Sequence, residues 1–140
     1  MKKDKVAILV KEASLECDKI AYPILIKFKL TFVQYKIIKY IYRMGSDNVR
    51  QIDIEKYFSL TNPTVTGILQ NLERDGWIKR VINPNDARSK IICLLPKSLD
   101  KMDELIEAGI EIEKNLVNNL TNKERERLIS LLKKLLKIED

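Results

Sequence analysis

The sequence predicts a mainly α protein in which two short helices, joined by a tight link, run straight into a two-stranded hairpin, with long amphipathic helices at both ends. Three observations predict it. Apolar residues recur every three or four positions over most of the 140 residues, the period of helices that bury one face. Only four glycines and four prolines are present, too few for a sandwich or barrel of many tight turns. One stretch, Trp77 to Leu95, changes to an extended pattern around the turn-rich Asn83-Pro84-Asn85-Asp86.

From about Lys5 to Lys29, residues Val6, Leu9/Val10, Ala13, Cys17, Ile20, Ile24 and Phe28 form one helical stripe, which Pro23 is expected to kink or break. A second helix spans Phe32 to Met44, with Thr31 as its N-cap and Gly45 as its left-handed stop. After the turn Gly45-Ser46-Asp47-Asn48, a short helix at about Arg50 to Phe58 offers Ile52, Ile54 and Phe58 as buried contacts. Ser59-Leu60-Thr61 links it to a helix that Asn62 caps and Pro63 opens, because the N–H that proline lacks would be unpaired there anyway. The inward stripe of that helix is Val65, Ile68, Leu69 and Leu72, and it stops near Asp75-Gly76. Two short helices around a tight turn, the second opening on small polar side chains, describe a helix-turn-helix.

The hairpin pairs Trp77–Ile82 with Lys90–Leu95, and Pro96 excludes a longer second strand. Leu99, Met102, Leu105/Ile106, Gly109, Ile112, Leu116 and Leu120 then read as one helix, and Leu128, Leu131/Leu132, Leu135 and Ile138 as the last, started by a Thr121/Glu124 capping box. The fold class is thus a winged helix-turn-helix with a two-stranded wing. The chain divides into an N-terminal helix (1–30), the winged lobe (31–96) and C-terminal helices (97–140). The end segments hold more large aliphatics than one winged lobe can cover, which marks them as dimerisation helices.

Composition narrows the function. Apolar residues at 45% supply a core, and charged residues at 33% supply wide solvated faces. The net charge of +6 is uneven, +7 over residues 1–96 and −1 over 97–140, so the first two thirds of the chain suits a polyanion, nucleic acid ahead of membrane. Histidine is absent, which removes the commonest acid/base residue and every histidine-ligated metal site; with no glycine-rich phosphate loop and no carboxylate pair at a recognisable site, no enzyme, cofactor or metal is expected. Cys17 and Cys93 are far apart and form no CxxC, which fits a reducing cytoplasm. The apolar run Val6–Val10 stops at Lys11-Glu12, and Lys27 and Lys29 interrupt the other dense apolar stretch, so neither a signal peptide nor a membrane span is expected.

The runs Leu30-Thr31…Gln34-Tyr35, Thr61-Asn62-Pro63-Thr64-Val65-Thr66, Leu72-Glu73-Arg74-Asp75-Gly76-Trp77-Ile78-Lys79-Arg80 and Asp86-Ala87-Arg88-Ser89-Lys90 strongly resemble MarR-type transcriptional regulators. The match covers about half the chain by motif and nearly all of it by helix order. Gly67, where relatives often carry a basic or larger residue, and Leu94-Leu95-Pro96-Lys97 after the wing depart from the family pattern. The resemblance implies a ligand-responsive homodimeric repressor on double-stranded DNA with a pseudo-palindromic operator. An effector site is implied where the dimerisation helices meet the DNA-binding lobe. The alternative is a protein-interaction module on the same scaffold with weak, non-specific DNA binding, which Gly67 leaves open.

Candidate DNA contacts follow from placement. Arg88, at the wing, suits a narrow minor groove, with Asp86 pairing to hold its rotamer and Lys90 close by. Asn62, Pro63, Thr64, Thr66 and Gln70 open the second motif helix; Gln70 suits adenine and the threonine methyls suit thymine. Arg74 and Lys79 are candidate phosphate contacts. Tyr22, Phe28, Phe32 and Tyr35 belong to an aromatic cluster that is either packing or a pocket for a small aromatic or phenolic effector. Cys17 lies 14 residues before Thr31, much nearer than the peroxide-sensing cysteine of one family branch, and has Glu16 and Asp18 as neighbours; a structural thiol is expected, as for Cys93.

Overall fold

The computed structural model describes residues 3–139, in the order α1 (Val6–Leu25), a 3-10 turn (Ile26–Phe28), α2 (Phe32–Met44), β1 (Val49–Arg50), α3 (Gln51–Phe58), α4 (Asn62–Arg74), β2 (Ile78–Asn83), β3 (Asp86–Leu94), α5 (Pro96–Asp100), α6 (Met102–Leu116) and α7 (Asn122–Leu136). Met1, Lys2 and Asp140, included in the two end segments, lie outside the described residues.

Local signals set most boundaries. α2 starts on a full capping box: Gln34 N–H donates to Thr31 Oγ1 at 3.2 Å, and Thr31 N–H donates to Gln34 Oε1 at 2.9 Å. Gly45, at φ 95°, ends it. The Thr121/Glu124 box starts α7 in the same way.

Four expectations are corrected. Pro23 does not break α1, which continues to Leu25; the proline lies in its last turn, and the chain then tightens into the 3-10 turn closed by Lys29 at φ 56°. The wing is part of a three-stranded antiparallel sheet, order β1-β3-β2, because Val49 and Arg50 pair with Ile92 and Ile91. Ile52 is 38% exposed, since the inward face of the short α3 is filled by Ile54, fully buried, and Phe58, half-buried. Leu99 to Leu120 do not form one helix: Lys101 separates α5 from α6, Leu99 faces outward, and α6 ends at Leu116.

The core is continuous from the N-terminal helix to the winged lobe. Leu25, Ile37, Ile38, Ile41, Ile54, Leu69, Leu72, Ile78, Ile92 and Leu105 are fully buried within it. Trp77, 1% exposed, joins lobe to α5: Ser98 Oγ donates to its carbonyl at 2.6 Å, and Lys97 Nζ lies 4.3 Å from its ring centroid. α6 packs on α1. α7 holds no fully buried residue and exposes Leu128, Leu131, Leu132, Leu135 and Leu136, while α1 exposes Val6, Ile8, Leu9, Val10 and Leu15.

Candidate nucleic-acid interface

α4 is held at its start by side chains of α3. Thr61, not Asn62, is its N-cap: Thr64 N–H donates to Thr61 Oγ1 at 3.4 Å, and the Thr61 hydroxyl donates to Thr64 Oγ1 at 2.9 Å. Asn62 is instead the first helical residue, and its Nδ2 donates to Glu55 Oε2 at 3.0 Å. One turn on, Gln51 Nε2 donates to Thr66 Oγ1 at 2.9 Å. Two α3 side chains therefore fix the pose of two candidate base-reading residues. Pro63, Thr64 and Gln70 stand exposed on the same helix.

The wing supplies the second half. Asp86 Oδ1 accepts from the Arg88 backbone N–H at 3.0 Å and lies 3.7 Å from Arg88 Nε, while the Arg88 side chain is 95% exposed. The carboxylate orients the arginine and leaves its planar fork facing solvent. Arg80 ties the wing to the last turn of α4: its Nη2 lies 2.9 Å from Glu73 Oε1, and its backbone N–H donates to Glu73 Oε2 at 3.2 Å. The hydrogen bond from the Arg80 guanidinium holds the Glu73 carboxyl below its usual range, helped by the charges of Arg80 and Lys90. Arg80 Nε is buried without a hydrogen-bond partner among the described residues.

Between α3, the start of α4 and the wing lies a notch of about 470 Å³. It brings together the predicted Asn62, Thr66, Asp86, Arg88 and Lys90, and adds Arg50, Gln51 and Arg80, which sequence reasoning did not assign to the interface. Pro63, Thr64, Gln70, Arg74 and Lys79 lie outside it. Arg74 is ion-paired with Asp75 at 3.0 Å and donates to Asn71 Oδ1 at 3.2 Å; Lys79 is exposed on β2. The Glu73/Arg80 pair stood within the quoted motif, yet its contact was not legible there. Arg50 ends a two-residue strand that has no periodic signal, and Gln51 follows it at the start of α3.

The four aromatic candidates do not form one pocket. Tyr22 and Phe32 line a groove of about 580 Å³ at the joint of α1 and α2. Tyr35, 7% exposed, lines a different cavity of about 710 Å³ between α2, α6 and α7, with Lys39, Ile106, Ile110 and Arg125. Phe28, 6% exposed, lines neither and belongs to the core. Burial pushes the Tyr35 phenol up, so it stays protonated; burial, with Arg43 nearby, lowers Lys39.

Burial also raises both thiols. The Asp18 charge adds to the effect at half-buried Cys17, and at Cys93 the Sγ–H donates to Asp47 Oδ1 at 2.8 Å. Among the described residues, no group of three or more His, Cys, Asp or Glu could hold a metal, and no helix is long and apolar enough to cross a membrane.

The comparisons with known proteins point one way. The MarR family model matches residues 30–90. The multiple antibiotic resistance protein MarR of Salmonella typhimurium is 31% identical over 76% of this chain and 74% of its own length. The Staphylococcus aureus MepR–DNA complex superposes with a TM-score of 0.87 at 30% identity, covering 96% of this chain and 98% of that one. A cysteine-to-serine mutant of Escherichia coli MarR, complexed with operator DNA, superposes with a TM-score of 0.85 at 25% identity over 94% of this chain and 93% of that one.

Proposed function

The chain belongs to the MarR family of transcriptional regulators, and from that premise we propose that it is a homodimeric repressor that grips a pseudo-palindromic operator and releases it when a small aromatic or phenolic effector binds. The observation that carries the reading is the convergence of α4 and the wing on one notch: Asn62 and Thr66 from the helix, Arg88 and Lys90 from the wing, all pre-positioned by hydrogen bonds or strand pairing. A helix in the major groove and an arginine in the flanking minor groove use both. Gln70 and the threonines read base edges, while Arg74, Lys79 and Lys90 take phosphates. Two such relatives, S. aureus MepR and the E. coli MarR mutant, have been solved on DNA.

The exposed leucines of α7 and the apolar face of α1 are the surface for a second copy. A two-fold dimer buries them and presents two recognition helices to half-sites about one DNA turn apart. The effector is placed in the Tyr35 cavity, where Ile106 and Ile110 suit a ring and the phenol, Lys39 and Arg125 supply polar anchors.

The test is fluorescence anisotropy on a duplex selected by the chain from a randomised pool, against a shuffled duplex, at low and at physiological salt. Tight binding to the selected duplex alone, retained at the higher salt and reversed by a phenolic compound, is the expected result. Equal, salt-labile binding to both duplexes would overturn the reading in favour of a protein-interaction module.

A further inference from the structure

Gly67 stands in the middle of α4 with a helical backbone, and a Cβ built on it meets no atom within 4 Å. Neither packing within the chain nor a left-handed φ therefore requires glycine. Glycine weakens a helix interior relative to alanine, so the fold alone would favour the larger residue. The neighbours of Gly67 on the helix surface, three and four positions away, are Pro63, Thr64, Gln70 and Asn71, all exposed. The missing side chain leaves an open dent on the helix surface. It lies between Pro63 and Thr64 on its N-terminal side and Gln70 and Asn71 on the other, and none of their side chains comes within 4 Å of the vacant Cβ position.

We propose that Gly67 is a specificity-determining residue whose dent receives the C5-methyl of a thymine. The methyl is the apolar group that the major groove presents, and it distinguishes thymine there. The Thr64 hydroxyl is already bound to Thr61 at 2.9 Å, and the Asn71 oxygen accepts from Arg74 at 3.2 Å. No such bond occupies Gln70 among the described residues, which leaves its amide for the adjoining adenine. The assignment rests on the DNA-binding reading and extends it to a single atom of one base.

The test uses the full chain and the duplex it selects from a randomised pool, with each thymine replaced in turn by deoxyuridine, which lacks only the methyl. Wild type should lose affinity roughly fourfold at one thymine per half-site, the effect of leaving one methyl unburied. Gly67→Ala should melt at a higher temperature, bind the thymine duplex more weakly, and lose or reverse that preference, because its Cβ occupies the place of the base methyl. A wild type indifferent to every substitution, or a Gly67→Ala variant that keeps the wild-type preference, would overturn the assignment while leaving operator binding intact. Failure of the pool to yield any preferred duplex would overturn the DNA-binding reading itself, and this assignment with it.

Discussion

Gly109 is the opposite case to Gly67, and its replacement gives a prediction whose sign reverses with a second mutation. In α6 it faces the Tyr35 phenol: a Cβ there collides with the Tyr35 hydroxyl oxygen and lies 3.1 Å from Cζ. Alanine should gain up to about 1 kcal/mol from helix propensity. Overpacking a core site costs about 1–3 kcal/mol, so Gly109→Ala should be destabilised by up to about 2 kcal/mol once the helix gain is subtracted. The Tyr35 hydroxyl has no hydrogen-bond partner among the described residues, so Tyr35→Phe alone should change stability little. In the Tyr35→Phe background the collision is gone, the ring has only to give by a few tenths of an ångström, and Gly109→Ala becomes neutral or stabilising. Urea denaturation of the four proteins by circular dichroism, at one fixed protomer concentration because association contributes to stability, closes the cycle. Equal effects of Gly109→Ala in both backgrounds would refute the claim that the phenol is what the glycine accommodates.

Arg88→Ala should weaken binding to the selected duplex at least about fivefold with an unchanged far-UV spectrum, and Arg88→Lys should not restore it because lysine lacks the planar fork; an unchanged Kd at matched salt would remove the arginine from the interface. Glu73 titrates lower folded than unfolded, so it stabilises the fold above the unfolded carboxyl value of about 4.3 and ceases to as pH falls through the folded value. Stability of the wild type should therefore fall more steeply below that pH than that of Glu73→Gln, and parallel acid denaturation curves would contradict the pairing with Arg80. Cys17 and Cys93, both raised, should be alkylated slowly by iodoacetamide at neutral pH until denaturant is added, with peroxide leaving DNA binding unchanged; rapid native-state labelling by mass spectrometry would contradict this.

What was legible in the sequence was local. Thr31/Gln34, Gly45 and Thr121/Glu124 announce helix ends because caps are contacts between residues three or four apart. The α4 stripe and the hairpin follow from their periods. Thr61 and Asn62 are both competent caps, and only the backbone decides that Thr61 is extended and Asn62 already helical. β1 escapes because two residues have no period, and its pairing partner Ile92 is 43 residues away from Val49. The same limit explains the notch: Gln51–Thr66 and Arg80–Glu73 join separate elements, so no spacing reveals them. Sequence proximity groups the aromatic residues, but the joint between α1 and α2 turns Phe28 inward and sends Tyr22 and Tyr35 to different cavities.

The placement of Tyr35 gives the proposed effector response a mechanical route. α2 carries Tyr35 and Lys39 on the cavity and, one residue further on, Tyr40, stacked on Tyr57 of α3 at 4.5 Å and 14° and edge-on to Phe58 at 5.7 Å. α3 in turn holds Asn62 through Glu55 and Thr66 through Gln51. Ile37, Ile38 and Ile41 are fully buried, so α2 is close-packed and passes a displacement to its neighbours rather than absorbing it. On the proposed reading, a ligand that separates α2 from α6 at Tyr35 moves the α3 rings and, through two side-chain hydrogen bonds, the start of the recognition helix. In a two-fold dimer that movement changes the spacing of the paired helices. Its size in free energy is limited to the difference in ligand affinity between the two spacings, typically about 1–3 kcal/mol for such coupling, enough to shift operator affinity by up to about two orders of magnitude.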